Sequence, residues 1–483
     1  MLGAFRGLAA RIATPGRRLL LILALLYLPS GCSRPQPPNV VLIVIDTLRA
    51  DRLGVAGNGS RLTPFLDSLA QRGVFFRNAY AQSSWTNASV ASLMTSRYQS
   101  QHGITSFHAV LAADEVTLAE VLQQHGYATG GFIANFLLSK ELGFAQGFDR
   151  YQTFSRAVDN GQGRPRYIKE RAERINTEAL SWLDQVQRER PHAPVFLYLH
   201  YMEPHNPYDP PDANLDRVLD GRPRPDLAQV NARMNFPNLG VFPDQMVQDV
   251  KTLYDAEVIS VDAALRDLFH ALTERHVLDH SVVVVVADHG EEFREHGLMG
   301  HHQTLYEEVL RVPLIVLRSD EPHGLVIDPI VSLTDVAPTI LDLVGLPSPS
   351  RFEGGSLRSL MGSSHPESPS GSSEASSSRL PPIGVAFSEL IKDGTERQRP
   401  HERAVITAPA KLIDDVDGEH EFYDLHADRA ETDPHALGEA ERTRLTAELA
   451  EFLAHATQHA APAATRSLDD ETRERMRALG YRE

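Results

Sequence analysis

The sequence predicts a doubly wound α/β fold, with a mostly parallel central sheet, helices on both faces and a small C-terminal antiparallel subdomain. Three observations carry that expectation. Val40-Val41-Leu42-Ile43-Val44-Ile45, Val195-Phe196-Leu197-Tyr198-Leu199 and Val282-Val283-Val284-Val285-Val286 are unbroken apolar runs without polar alternation, as in strands buried on both faces. Helical stretches separate these runs, and strands alternating with helices build parallel crossover units. Past residue 362 the pattern changes to short strand-like pieces and one closing helix.

Taken in order, residues 1–31 carry four arginines as their only charges and an apolar run at 19–28. That run is too short for a bilayer span, which takes about 20 residues, but it suits the core of a signal peptide. It ends in Leu28-Pro29-Ser30-Gly31-Cys32, which resembles a bacterial lipoprotein cleavage box with an unusual Pro29. Cys32 is the single cysteine of the chain. It is therefore the expected lipidation site, and it can form neither an internal disulfide nor a thiolate cluster. The expectation is a lipid-anchored protein of the bacterial cell envelope, facing the periplasm or the exterior, with residues 32–38 as tether. A plain secretory signal is the alternative.

The catalytic domain is expected over 39–362. Thr63 suits the cap of a helix with Pro64 in its first turn and Gly73 beyond its end. Further helices are expected near 116–125, 168–188, 243–272 and 334–344. Nine of the 16 residues from 363 to 378 are serine, so 363–382 reads as a flexible insertion that cannot bury a core. In the subdomain at 383–483, strands are expected near 383–390, 403–413 and 421–425, and a helix over 439–456.

Composition bounds the function. Of 483 residues, 42% are hydrophobic and 23% charged, which is ordinary globular usage and excludes wholesale disorder. A net charge of −17 lacks the basic footprint that nucleic-acid binding requires. The buried strands run into polar residues: Asp46 after the first, His200 and later His205 after the second, and Asp288-His289-Gly290 after the third. In parallel sheets ligands bind beyond the carboxyl ends of the strands. Carboxylates with an imidazole suit one divalent ion, whether Ca, Mn, Mg or Zn. The constellation reads as a metal-dependent hydrolytic site.

At this point the residues resemble a family. Asn39-Val40 through Asp46-Thr47-Leu48-Arg49-Ala50-Asp51, Thr63-Pro64-Phe65-Leu66-Asp67, Ser92-Leu93-Met94-Thr95-Ser96 with His102-Gly103, and Gly147-Phe148-Asp149 are similar to sulfatase motifs of the alkaline phosphatase superfamily. So are Glu203-Pro204-His205-Asn206-Pro207-Tyr208, Asp288-His289-Gly290, Leu305-Tyr306-Glu307-Glu308 with Arg311-Val312-Pro313-Leu314, and Phe422-Tyr423-Asp424-Leu425. The resemblance runs in family order and implies an alkaline phosphatase-like fold. It implies Asp46, Asp288 and His289 as metal ligands, with the role of Thr47 open. His205 and His301 are implied as catalytic or substrate-facing groups, and His200 and Asn135 as weaker substrate-binding candidates.

One departure bears on the chemistry. Sulfatases of the main type oxidise a Cys or Ser in a Cys/Ser-x-Pro/Ala-x-Arg motif to formylglycine. The aligned stretch here is Thr86-Asn87-Ala88-Ser89-Val90, and the family's Gly-Lys-Trp-His faces Gly131-Phe132-Ile133-Ala134-Asn135. Threonine carries a methyl on its β-carbon, so oxidation would give a ketone. The expectation is a metal-bound Thr86 alkoxide that attacks phosphorus or sulfur and forms a covalent intermediate. Relatives with threonine here tilt the substrate toward a phosphate ester over a sulfate ester, on a small molecule, glycan or lipid. Alternatives are phosphoryl transfer to an envelope alcohol, or an inactive lipid-anchored binding protein in which Thr86 only caps a helix starting near Ser89. Specificity is expected from loops near 149–166 and 208–242. Oligomeric state is not legible.

Overall fold

The computed structural model describes residues 36–57, 61–154, 156–159, 165–235, 241–318, 324–362, 382–392, 401–415, 420–460, 464–465 and 473. The expected signal segment, Cys32, the insertion at 363–381 and parts of both expected specificity loops lie outside them. The chain divides into Met1–Pro37 and Pro38–Glu483; only Gln36 and Pro37 of the first unit are described. No helix among the described residues is long and apolar enough to cross a membrane.

The second unit is built on a nine-stranded sheet. Its strands are β1 (Asn39–Ile45), β2 (Val74–Tyr80), β3 (Ala128–Ile133), β4 (Arg150–Thr153), β5 (Val195–Tyr201), β6 (Ser281–Ala287), β7 (Arg311–Arg318), β8 (Leu325–Ile327) and β9 (Val331–Ser332). They lie in the order β8-β2-β7-β6-β1-β5-β3-β4, with β9 also on β2. The three apolar runs foreseen from the sequence are the adjacent central strands β6, β1 and β5, paired in parallel and buried throughout their apolar stretches. The second run continues two residues further than its apolar stretch, so His200 sits inside β5, opposite Val44.

The sheet is mixed because β7 runs antiparallel to both β6 and β2. Sequence reading named only β1, β5 and β6 of these nine strands, and β2 and β7 are the longest of those it missed. The half-buried polar pair Arg77-Asn78 interrupts the apolar pattern of β2, and Pro313 falls in β7 where the register with β2 shifts, a position that tolerates a residue without an N–H. Helices Pro64–Arg72, Leu118–Gln124, Ala172–Glu189, Asp244–Glu274 and Val336–Leu343 fill the expected places. Thr63 does not cap the first of these with its side chain. Asp262, on the long helix, accepts from Phe65 N at 3.1 Å and Leu66 N at 2.8 Å.

The C-terminal sheet runs antiparallel through Val385–Leu390, Glu402–Thr407, Ala410–Asp415 and His420–Asp424. The expected single strand at 403–413 is thus a hairpin. Helix Glu439–Gln458 covers this sheet, stacking Phe452 on Phe387 with centroids 4.3 Å apart. The sheet is tied to the body by hydrogen bonds to its backbone carbonyls: Glu389 N donates to Gln82 O at 2.8 Å and Ser388 Oγ to Ala81 O at 2.6 Å.

At this seam His296 donates from Nδ1 to Glu308 Oε1 (2.7 Å) and from Nε2 to the Glu431 carbonyl (3.2 Å), stacked on Tyr306. Burial alone would lower its pKa, but the hydrogen bond and charge of Glu308 outweigh burial and push it up to about 9. A raised histidine pKa stabilises fully below the unfolded value of about 6.5, and that stabilisation is lost as pH rises through about 9. Urea unfolding should therefore find His296→Gln less stable than the parent at pH 6, by up to about 3 kcal/mol. The deficit should shrink between pH 6.5 and 9, and a constant deficit would remove the titrating ion pair from the explanation.

Candidate active site and metal centre

Asp46 and Asp288 follow β1 and β6 directly, and parallel pairing of Ile45 with Ala287 brings the two carboxylates together. Both are fully buried. His289 turns back over them because Gly290 lets the chain approach Glu308 closely; a Cβ at Gly290 would stand 2.0 Å from the Glu308 carbonyl oxygen. His289 Nε2 lies 3.8 Å from Asp46 Oδ1 and 3.6 Å from Asp288 Oδ2. Its Nδ1–H donates to Gly290 O at 2.9 Å, which leaves the lone pair on Nε2 facing the carboxylates. Burial holds the His289 imidazole below its ordinary pKa, against the pull of Asp288. Burial and then the charge of Asp288 push Asp46 well up. Asp288 is held down: burial would raise it, but His289 and His200 outweigh that.

Thr86 is brought in by helix Thr86–Thr95, all ten residues of which are buried. The helix begins at Thr86, with Trp85 at the cap position, so Thr86 is not the cap of a helix starting near Ser89. Its Oγ1 lies 3.3 Å from His289 Nε2. Asn135 Nδ2 reaches Thr86 Oγ1 at 3.4 Å and Asp46 Oδ2 at 2.8 Å, joining the hydroxyl to the acidic pair. The hydroxyl also stands at the positive end of a helix dipole, which favours developing negative charge.

Thr47 sits at φ 59, a conformation costly for a β-branched residue. Tyr254 OH donates to its carbonyl at 2.7 Å, its N–H donates to Asp288 Oδ1 at 3.2 Å, and its hydroxyl turns to the Asp46 carbonyl at 2.7 Å. Thr47 thus contributes a shaped backbone, and its side chain points at main chain. His200 Nε2 lies 4.0 Å from Asp46 Oδ2 and 3.8 Å from Asp288 Oδ2.

His205 and His301 complete the cleft. Ring centroids are 4.9 Å apart for His205–His301 and 4.6 Å for His289–His301. His205 Nδ1 contacts the Asn206 carbonyl, and Lys169 Nζ donates to the His205 carbonyl at 2.7 Å while pairing with Glu257 at 3.0 Å. Burial and then the neighbouring His301 hold the His205 imidazole well below its ordinary pKa. His301 Nδ1 faces the buried Glu291 Oε1 at 3.0 Å. All eight sequence-selected candidates, Asp46, Thr86, Asn135, His200, His205, Asp288, His289 and His301, therefore meet at one end of the sheet.

Sequence reading missed Glu291 and Lys169. Glu291 stood next to a recognised motif, whereas Lys169 carries no local signal. Other motif residues are architectural: Asp149 accepts from Gln123 Nε2 at 2.8 Å and from Thr129 N at 3.2 Å.

The donor set fits a divalent cation. One ligand atom each from Asp46, Asp288 and His289 lies within 4.8 Å of the others. Asp46 Oδ1 and Asp288 Oδ2 are buried without a hydrogen-bond partner, an arrangement that is costly unless positive charge fills it.

A mostly parallel sheet with acidic and imidazole donors beyond its central strands defines an ester hydrolase of alkaline phosphatase-like fold with a metal-ligand cluster. The chain belongs to the sulfatase family, whose model matches residues 38–346, and is a hydrolase of the sulfate or phosphate ester class. It is similar to an arylsulfatase of Clostridium perfringens, 27% identical over 382 residues, which cover 67% of this chain and 78% of that protein. It is also similar to the N-acetylglucosamine-6-O-sulfatase of Bacteroides thetaiotaomicron, 24% identical over 521 residues, covering 90% and 89%. In fold it resembles a phosphonate monoester hydrolase from Silicibacter pomeroyi, with a TM-score of 0.66 at 21% identity over 89% of this chain and 99% of that one.

Proposed function

We propose that this chain cleaves a phosphate or sulfate ester, with phosphate favoured, through Thr86 as nucleophile and a covalent threonyl intermediate. The observation that carries the reading is the placement of Thr86 Oγ1, 3.3 Å from His289 Nε2 and 3.4 Å from Asn135 Nδ2. With threonine at this position and Val90 in place of the motif arginine, formylglycine chemistry has no precursor here.

Asp46, Thr86, Asp288 and His289 would hold a divalent cation, which supplies charge that lowers a hydroxyl pKa and offsets anionic ester oxygens. Asn135 orients the Thr86 hydroxyl, which passes its proton to solvent water and attacks the ester phosphorus or sulfur. As the new Oγ1 bond forms, the bond to the ester oxygen breaks, and His301 hands the leaving alcohol its proton from Nε2. His205, kept neutral, accepts a proton from the water that releases the threonyl ester. The names of the relatives support small aromatic esters and sulfated sugars as the substrate range to survey, alongside lipid esters.

Glu291 acts as a positioning residue by holding the His301 ring. Glu291→Gln should lower kcat by about 10²-fold, the low end of general acid–base contributions, with KM little changed. A loss confined to KM would move His301 from proton transfer to substrate binding.

The primary test loads the chain from Ser33 onward with Ca, Mn, Mg or Zn in turn. Each form is offered an aryl sulfate, an aryl phosphate and an aryl phosphodiester, with Thr86→Ala beside it. Turnover that persists in Thr86→Ala would overturn the nucleophile.

The same reading places the chain on the bacterial envelope through a lipidated Cys32, supported by the run at 19–28 and the Leu28–Cys32 box. In cells, Cys32→Ser should shift the protein from the detergent phase to the aqueous phase. Unchanged partition would leave Cys32 without an anchoring role.

A further inference from the structure

A second set of metal-ligating side chains lies at the end of the C-terminal helix. His455 is in the last turn of helix Glu439–Gln458, and His459 is its C-cap, four residues on. Their rings are 4.4 Å apart. Glu353, in the segment after the core helix Val336–Leu343, faces them, with its Oε2 2.9 Å from His455 Nε2. One donor atom from each of the three lies within 4.8 Å of the other two.

The donors are held from behind. Gln101 Nε2 donates to Glu353 Oε1 at 2.9 Å, and Glu353 N donates to Ser96 O at 2.8 Å. His459 donates from Nδ1 to the His455 carbonyl at 2.9 Å, which leaves its lone pair on Nε2. Arg97 Nη2 binds the His459 carbonyl at 2.6 Å. Back-up hydrogen bonds that fix the tautomer and orient the carboxylate are what metal-ligating side chains require. Glu353 and His455 are half-buried and His459 is exposed, so an ion can enter from solvent and keep water at a fourth position.

We propose that Glu353, His455 and His459 form a surface site for Zn²⁺, separate from the Asp46-Asp288-His289 cluster, which clasps the end of the C-terminal helix to the catalytic body. Two imidazoles and one carboxylate match zinc, whereas calcium and magnesium favour oxygen-rich shells. Binding displaces the proton shared by His455 and Glu353, so one carboxylate oxygen and two neutral nitrogens meet the ion.

The test is a titration of the metal-stripped chain with Zn²⁺ and with Co²⁺, whose visible absorption reports four-coordinate nitrogen ligation. The parent should show two classes of site. In His455→Gln/His459→Gln one class should disappear and the other persist, the latter also serving as proof of folding. Glu353→Gln should weaken that same class by at least about tenfold. The Zn²⁺-dependent rise in Tm should fall in all three variants. Titrations and Tm shifts identical to the parent would overturn the site and leave the Glu353–His455 contact as an ion pair only.

Discussion

Thr86→Ala is expected to lower turnover of the best ester substrate by roughly 10⁴–10⁶-fold, the loss seen when a covalent nucleophile is removed. The expectation follows from geometry. The helix Thr86–Thr95 is buried along its whole length, so its first residue has little freedom, and Asn135 and His289 both touch the same hydroxyl. Nothing in the alanine variant replaces that oxygen, while Asp46, Asp288 and His289 remain to hold the cation. The variant should therefore fold, bind its cation and remain inactive. Thr86→Ser preserves the oxygen and removes only a methyl, so it should retain a large part of the activity. Mass spectrometry of the peptide spanning Thr86 after an acid quench should find the adduct in the parent and none in Thr86→Ala. An adduct on another residue would transfer the nucleophile's role there.

Asp46→Asn should separate stability from function. In the metal-free chain two buried carboxylates face each other, and burial together with Asp288 pushes the Asp46 carboxyl up. An amide at this position removes one of the two opposed charges at nearly constant shape. Thermal unfolding in chelator should therefore find Asp46→Asn more stable than the parent, by about 1–2 kcal/mol. With a saturating divalent cation the order should invert. The parent gains RT ln(1 + [L]/Kd), about 2.7 kcal/mol at a hundredfold excess over Kd, and the variant gains little. Turnover should fall by at least about 10³-fold. An equal metal-induced shift in both proteins would mean that Asp46 is not a ligand.

Much of this chain was legible because its central strands are buried on both faces. β1, β5 and β6 show as continuous apolar runs that need no partner to be recognised. The polar residues at their ends stand out for the same reason, since Asp46, His200 and Asp288 interrupt stretches that otherwise exclude charge. β2 and β7 were not legible, because Arg77-Asn78 and Pro313 break the local pattern and pairing supplies what propensity lacks. The cap of helix Pro64–Arg72 was misread for a related reason. Thr63 is the right residue type in the right place, but Asp262 reaches the helix amides from 196 and 197 positions along the chain.

The sequence by itself determined the residue types available for chemistry and the burial of the strands that carry them. It also determined that Thr86 has a methyl where formylglycine needs a hydrogen. The tertiary structure alone decided which of 21 histidines converge: His200, His205, His289 and His301 at the sheet end, and His455 with His459 beside Glu353. It likewise decided that three of the four active-site imidazoles turn Nδ1 to an acceptor, with Asn206, Gly290 and Glu291 serving His205, His289 and His301. The physical reason is sequence distance. Thr86 and His289 are 203 positions apart, and their meeting depends on strand order and register, quantities that no local stretch of the chain encodes.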